Sequence, residues 1–112
     1  MRHLKDQIHK TMNPFKRRGA KQARNEEVQK ILRFAQWANE NGKRVESIEN
    51  LGMNHVERFI RHLDEKGRSR QTRYKYFLSI KKLWEFSNKR GRFEVLSQKL
   101  FPENDLHTRK HH

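Results

Sequence analysis

The sequence predicts an all-α protein, a compact four-helix bundle with a basic N-terminal extension. Three observations predict it. Apolar residues recur at helical spacing through most of the chain. No segment shows convincing strand alternation, and both prolines, Pro14 and Pro102, fall outside the strong periodic runs, where they act as boundaries. The 112 residues are enough for one small domain with one modest core, and only 32% of them are hydrophobic.

Leu4, Ile8 and Met12 fall on one line of a weak first segment, 3–12. So narrow a stripe is expected to form at most a weak helix, one that docks on the domain or frays. Residues 13–20 read as a basic linker, which makes 1–20 an arm ahead of the domain proper. The first strong helix is expected over 21–41, where Val28, Ile31, Leu32, Phe34, Ala35, Trp37 and Ala38 form a wide apolar face and Asn41-Gly42 a stop. Val45, Ile48 and Leu51 are anchors of the following loop. A second helix, 53–65, carries Val56, Phe59, Ile60 and Leu63, and Lys66-Gly67 ends it. Ser69 is a suitable N-cap for a third, 70–89, with Tyr76, Phe77, Ile80, Leu83, Trp84 and Ser87 on one side and Gly91 closing it. A short fourth helix, 93–101, carries Phe93, Leu96, Leu100 and Phe101 and completes a domain over 21–101. The polar tail 102–112 is expected to be disordered.

Charge is the dominant compositional signal. Lys and Arg number 27 against 13 Asp and Glu, a net +14. The excess is concentrated in two blocks: residues 1–24 hold eight basic groups against Asp6, and residues 66–92 hold ten against Glu85. Between them, 25–65 is nearly balanced. Such clustering makes a polyanion the first partner to consider, nucleic acid ahead of a membrane surface. There are no cysteines, which excludes a disulfide scaffold, a Cys-ligated zinc site and a thiol nucleophile. No apolar run approaches the roughly 20 residues that span a bilayer.

Enzyme signals are weak. The glycines stand at helix ends, with no phosphate-cradling loop. His55 and His62 share a helix without a third ligand, while His3, His9, His107, His111 and His112 lie in the first segment or the tail, so neither metal nor cofactor is expected. Glu26, Glu27, Asp64 and Glu65 read as surface and helix-end charges.

Nucleic-acid signals are stronger. The third helix combines an apolar face with a basic one, and Arg68, Arg70 and Arg73 crowd its start beside Ser69, where free backbone N–H groups favour a phosphate. Gln71 and Tyr74 can hydrogen-bond to bases or backbone, and Lys75, Lys81 and Lys82 extend the basic face. Lys16, Arg17, Arg18 and Lys21 add a second group from the arm. Tyr76, Phe77 and Trp84 read as core rather than as stacking platforms, which favours duplex over single strands.

Three stretches, in order, resemble a known family. They are Leu32-Arg33-Phe34-Ala35-Gln36-Trp37 with Gly42 after it, then Val56-Glu57-Arg58-Phe59-Ile60-Arg61-His62-Leu63, then Gly67-Arg68-Ser69-Arg70-Gln71-Thr72 leading into Phe77-Leu78-Ser79-Ile80-Lys81-Lys82-Leu83-Trp84. The set, covering 21–101, is similar to the core-binding, or SAM-like N-terminal, domain of tyrosine recombinases and phage integrases. The last stretch matches that family's Gly-x-Ser-x-x-Thr and Leu-Ser-Ala-Leu-Arg-x-Phe patterns. It departs in having Lys81 where Arg is frequent and Ala23 where Thr commonly opens the first helix. The resemblance implies half of a clamp on duplex DNA beside a separate catalytic domain, with Lys75 and Lys81 at positions the family keeps basic. His55-Val56-Glu57-Arg58 has the form of the family's His-x-x-Arg box, but it lies on an amphipathic helix with Val56 facing the core. Neither Tyr74 nor Tyr76 lies far enough downstream to be the family's nucleophile.

The expected function is therefore a non-catalytic duplex-DNA-binding module in site-specific recombination and DNA integration. Its expected partners are double-stranded DNA and a recombinase catalytic domain or other recombination proteins, at a cytoplasmic, nucleoid-associated location. A helical protein-interaction module with a basic surface is the alternative from another class, and an RNA-binding protein is a third.

Overall fold

In the computed structural model, which describes residues 2–17, 21–42 and 44–102, α4 (Arg70–Phe86) is the central helix. Around it pack α1 (Arg2–Lys16), α2 (Lys21–Glu40) and α3 (Met53–Glu65), and α5 (Phe93–Leu100) lies against α3. A short 3-10 turn, Ile48–Asn50, joins α2 to α3. No strand occurs among the described residues. The all-helical class expected from periodicity is the class observed, with five helices instead of four.

The additional helix is α1. Its stripe continues past Met12 to Phe15, and Leu4, Ile8, Met12 and Phe15 are all buried in the common core. The helix runs through Pro14, at a position where a linker was expected. A proline inside a helix costs roughly 3 kcal/mol. Burial of a phenylalanine side chain returns about 1.5–3 kcal/mol, and Phe15 packs edge-on against Phe86 of α4, with ring centroids 5.6 Å apart. One stripe residue more than the sequence pattern suggested would not suffice alone. Gln7 adds a polar tie: its Oε1 accepts from the Ile48 N–H at 2.8 Å and so caps the 3-10 turn.

Val45, Ile48 and Leu51 are buried anchors, as their spacing predicted. The Val45 N–H donates to Asn39 Oδ1 at 3.0 Å, which turns the chain after α2. At the start of α3, the Gly52 N–H donates to His55 Nδ1 at 3.0 Å, a side chain in the first turn reaching back to the cap.

Both ends of α4 are set by hydrogen-bonded turns. Gly67 has φ 81°, and the Gly67 and Arg68 N–H groups donate to Asp64 and Leu63 carbonyls at 2.9 Å, closing α3 in a Schellman motif. Ser69 Oγ accepts from the Thr72 N–H at 3.1 Å and starts α4 as its N-cap. At the far end a second Schellman motif places Asn88 at φ 58°, with its N–H on Glu85 and the Lys89 N–H on Trp84. Asn88, and not Gly91, therefore ends α4, three residues earlier than its apolar pattern suggested. Gly91 has another role: a Cβ there would come within 2.7 Å of Met53 Sδ and 2.9 Å of the Trp84 and Phe93 rings.

Candidate nucleic-acid interface

Phe77, Ile80, Leu83 and Trp84 are buried and fix one face of α4 in the core. Helical geometry then turns Gln71, Lys75, Leu78 and Lys82 outward along one line. Gln71, Lys75 and Leu78 are exposed, and Lys82 is half-buried. Grooves run along both sides of this ridge. One, of about 280 Å³, separates it from α2 and is lined by Lys75 and Leu78 with Lys30, Glu26 and Glu27. On the α5 side, Tyr74, Leu78 and Lys81 border a cleft of about 260 Å³.

The basic residues singled out from sequence divide into two groups. Lys75 projects from the ridge beside Lys30 of α2. Lys82 lays its ammonium 5.3 Å from the centre of the Phe15 ring, and Arg24 of α2 approaches the same ring at 4.8 Å. Phe15 thus gathers cations from two helices, and Arg24 also pairs with Glu27 at 3.2 Å. Lys16, one residue on, donates to His9 Nδ1 at 3.2 Å, and Arg17 is exposed. The arm's basic group therefore lies at the α1 end of the α4 ridge. Arg18 and the side chain of Lys21 lie outside the described residues, as does the tail 103–112 with Arg109 and Lys110.

The second group surrounds the α3–α4 turn. Arg68 and Ser69 are exposed, the latter as the cap. Arg73 is turned inward: its Nε donates to the Arg68 carbonyl at 3.2 Å, its guanidinium lies 3.7 Å from Asp64, and its side chain is 17% exposed. Arg70 is folded over the Phe101 ring at 5.4 Å, with its Nε buried and unpartnered among the described residues. Tyr74 is 39% exposed, stacked on Phe77 and edge-on to Phe101. Phe77 and Trp84 are each 2% exposed and Tyr76 is partly buried, the core placement their spacing predicted.

Three cations of α2 escaped the sequence reading: Arg24, Lys30 and Arg33. Arg33 donates to the Tyr76 hydroxyl at 3.1 Å, and Lys30 lies 6.0 Å from the same ring. Arg24 ends the basic block 1–24 and Lys30 and Arg33 lie in the nearly neutral stretch after it, so only the packing of α2 against α4 joins the latter two to the basic ridge.

The residues of the His-x-x-Arg look-alike all serve the fold. Val56 is buried, and His55 accepts the Gly52 N–H. Burial first, and the Arg58 charge second, hold the His55 imidazole below its ordinary 6.5. Arg58 donates to the Asn41 carbonyl at 2.8 Å. Glu57 receives Arg61 at 3.0 Å and Lys99 at 3.1 Å, tying α5 to α3, and hydrogen bonds from Lys99 and then Arg61 lower its pKa. Among the described residues no group of three or more His, Asp or Glu could hold a metal.

A family model described as the phage integrase N-terminal SAM-like domain matches residues 15–91. The chain belongs to this family. No curated protein and no solved structure gives a significant match. Within this integrase SAM-like domain the match runs from Phe15 through α2, α3 and α4 to Gly91. Most of α1 and all of α5 lie outside it. The match concerns the family's N-terminal SAM-like domain only, and membership supports an integrase-like, recombination-associated role. No helix among the described residues is long and apolar enough to cross a membrane.

Proposed function

We propose that this chain is a non-catalytic duplex-DNA-binding module of site-specific recombination and DNA integration, working beside a recombinase catalytic domain or other recombination proteins. The observation that carries this reading is the α4 ridge. Gln71, Lys75, Leu78 and Lys82 share its outward line, while the opposite face is anchored in the core. A helix so held can enter a major groove, which is wide enough for it, and present a hydrogen-bonding side chain and an apolar one to base edges. Lys75 and Lys82 then lie near phosphates, with Lys16 and Arg17 continuing the basic track beyond the ridge. Arg68, Ser69, Arg70 and Tyr74 flank the start of the ridge, and Lys81 its α5 side. Glu26 and Glu27 line the α2 groove, so the ridge itself, and not that groove, makes the contact.

The test is a titration of random duplex across salt. With about six phosphates neutralised, affinity falls roughly 10³-fold between 50 and 200 mM salt. An affinity that does not change with salt refutes the reading. So does tighter binding to structured RNA than to duplex DNA of equal length.

A further inference from the structure

The far end of α4 carries a surface of different character. Where α5 begins, a cleft of about 570 Å³ opens between the two helices, with Trp84 and Phe93 at its base. Val95 stands at its edge and is 63% exposed, the highest value among the large hydrophobic side chains of the described residues left at the surface. A protruding apolar side chain and an apolar cleft therefore lie next to each other.

The rim carries both signs of charge. Lys81, Lys89 and Arg92 line it, and so do Glu85 and Glu94. Lys89 covers the Trp84 ring at 5.3 Å, while Arg92, Glu85 and Glu94 make no ion pair among the described residues. In contrast, Glu57 on the neighbouring helix engages two cations. α5 also lies beyond the region shared with the family.

We propose that this α4–α5 face binds a second copy of the chain about a two-fold axis. Val95 of each copy enters the cleft of the other over Phe93 and Trp84, and Glu94 of each faces Lys89 and Arg92 of the other. A two-fold contact requires one patch to hold both halves of every interaction. This patch does so, with projection and cleft, cation and carboxylate side by side. The alternatives fit less well. A phosphate backbone meets two unpaired carboxylates on the rim, and an acidic peptide meets the same pair.

Sedimentation velocity on the full chain, from micromolar to high-micromolar concentration at physiological salt, tests the proposal. A concentration-dependent dimer is expected. Val95→Asp removes an apolar contact made twice, and at about tenfold per side chain it weakens association about a hundredfold. Because Val95 is exposed, the variant keeps the parental melting curve by circular dichroism. Glu94→Lys and Lys89→Glu each weaken self-association, and an equimolar mixture of the two restores it, because the heterodimer recovers both opposite-charge pairs. A chain that stays monomeric throughout overturns the proposal. So does a dimer indifferent to Val95→Asp, or a mixture of the charge variants that stays dissociated. If Val95→Asp leaves assembly unchanged and weakens duplex binding, the cleft belongs to DNA and the proposal fails.

Discussion

The Ile48 backbone N–H donates to the side-chain oxygen of Gln7 at 2.8 Å, a bond between residues 41 positions apart. It fastens the first helix to the turn that leads into α3, and it satisfies an N–H that a 3-10 turn leaves unpaired. Gln7→Leu removes the acceptor and leaves that partly buried donor without a partner. The expected loss is about 1–2 kcal/mol. It appears as a lower urea midpoint at unchanged slope.

Phe15→Ala is expected to be far more damaging. A buried phenylalanine lost to a cavity costs about 3–5 kcal/mol, a large part of the total stability of a small domain. Removing residues 1–17 also strips Leu4, Ile8 and Met12 from the core, so it should abolish the cooperative melt, and not merely weaken DNA binding as loss of a loose arm would. A truncated chain with an intact melt would separate α1 from the fold.

Arg73 and Lys75 are neighbours in the same basic run with opposite expected phenotypes. Lys75→Ala should change stability by no more than about 0.5 kcal/mol and make the salt slope of duplex binding shallower by about one unit. Arg73→Ala should lower the melting temperature, because it releases the Arg68 carbonyl and Asp64, while leaving the slope nearly unchanged. Binding isotherms at two salt concentrations, with melts alongside, separate the two.

Stability should depend on pH through His55. Its folded pKa is depressed from 6.5, by burial and then by Arg58, so the folded state binds fewer protons than the unfolded chain. The stabilisation is complete above pH 6.5 and is lost as pH falls from there toward the folded value. His9 acts in the same direction, through burial and then Lys16 and Lys5, with Asp6 opposing. His55→Gln keeps an acceptor for the Gly52 N–H and does not titrate, so it should flatten part of the urea-midpoint decline between about pH 7 and pH 5. An unchanged decline would remove His55 as a source.

Gly91→Ala should destabilise by about 1–3 kcal/mol, the usual cost of overpacking. Met53 can move aside, but the Trp84 and Phe93 rings at 2.9 Å are fixed by the core. Asn88→Gly, at the left-handed position that ends α4, should be neutral or mildly stabilising. A thermal melt of each variant distinguishes a packing role from a conformational one.

The helices from Lys21 to Leu100 were legible because each carries its own apolar period, and Ser69 was legible as a cap from residue type and position. Two kinds of information were not. Phe15 follows a proline in a basic stretch, so its local signal reads as linker, and only the seat made by Arg24, Lys82 and Phe86 reveals it as core. The basic ridge was half visible. Lys75 and Lys82 stand out within a dense run, whereas Lys30 and Arg33 join them through the packing of α2, which charge counting cannot see. Arg73 shows the converse: it has the same charge as its neighbours, and an Asp64 within reach draws it inward.

The seat of Phe15 has a consequence for how the chain is made. Arg24 emerges from the ribosome soon after Phe15, but Lys82 and Phe86 follow only after most of the chain is synthesised. At about 5–20 residues per second, the seat of Phe15 stays incomplete for several seconds, although α2, which also packs against α1, follows at once. Short helices are marginal in water without their core, so during that interval part of the stripe of Leu4, Ile8, Met12 and Phe15 stays uncovered. Emergence of α4 completes the core, and α1, made before it, settles only then.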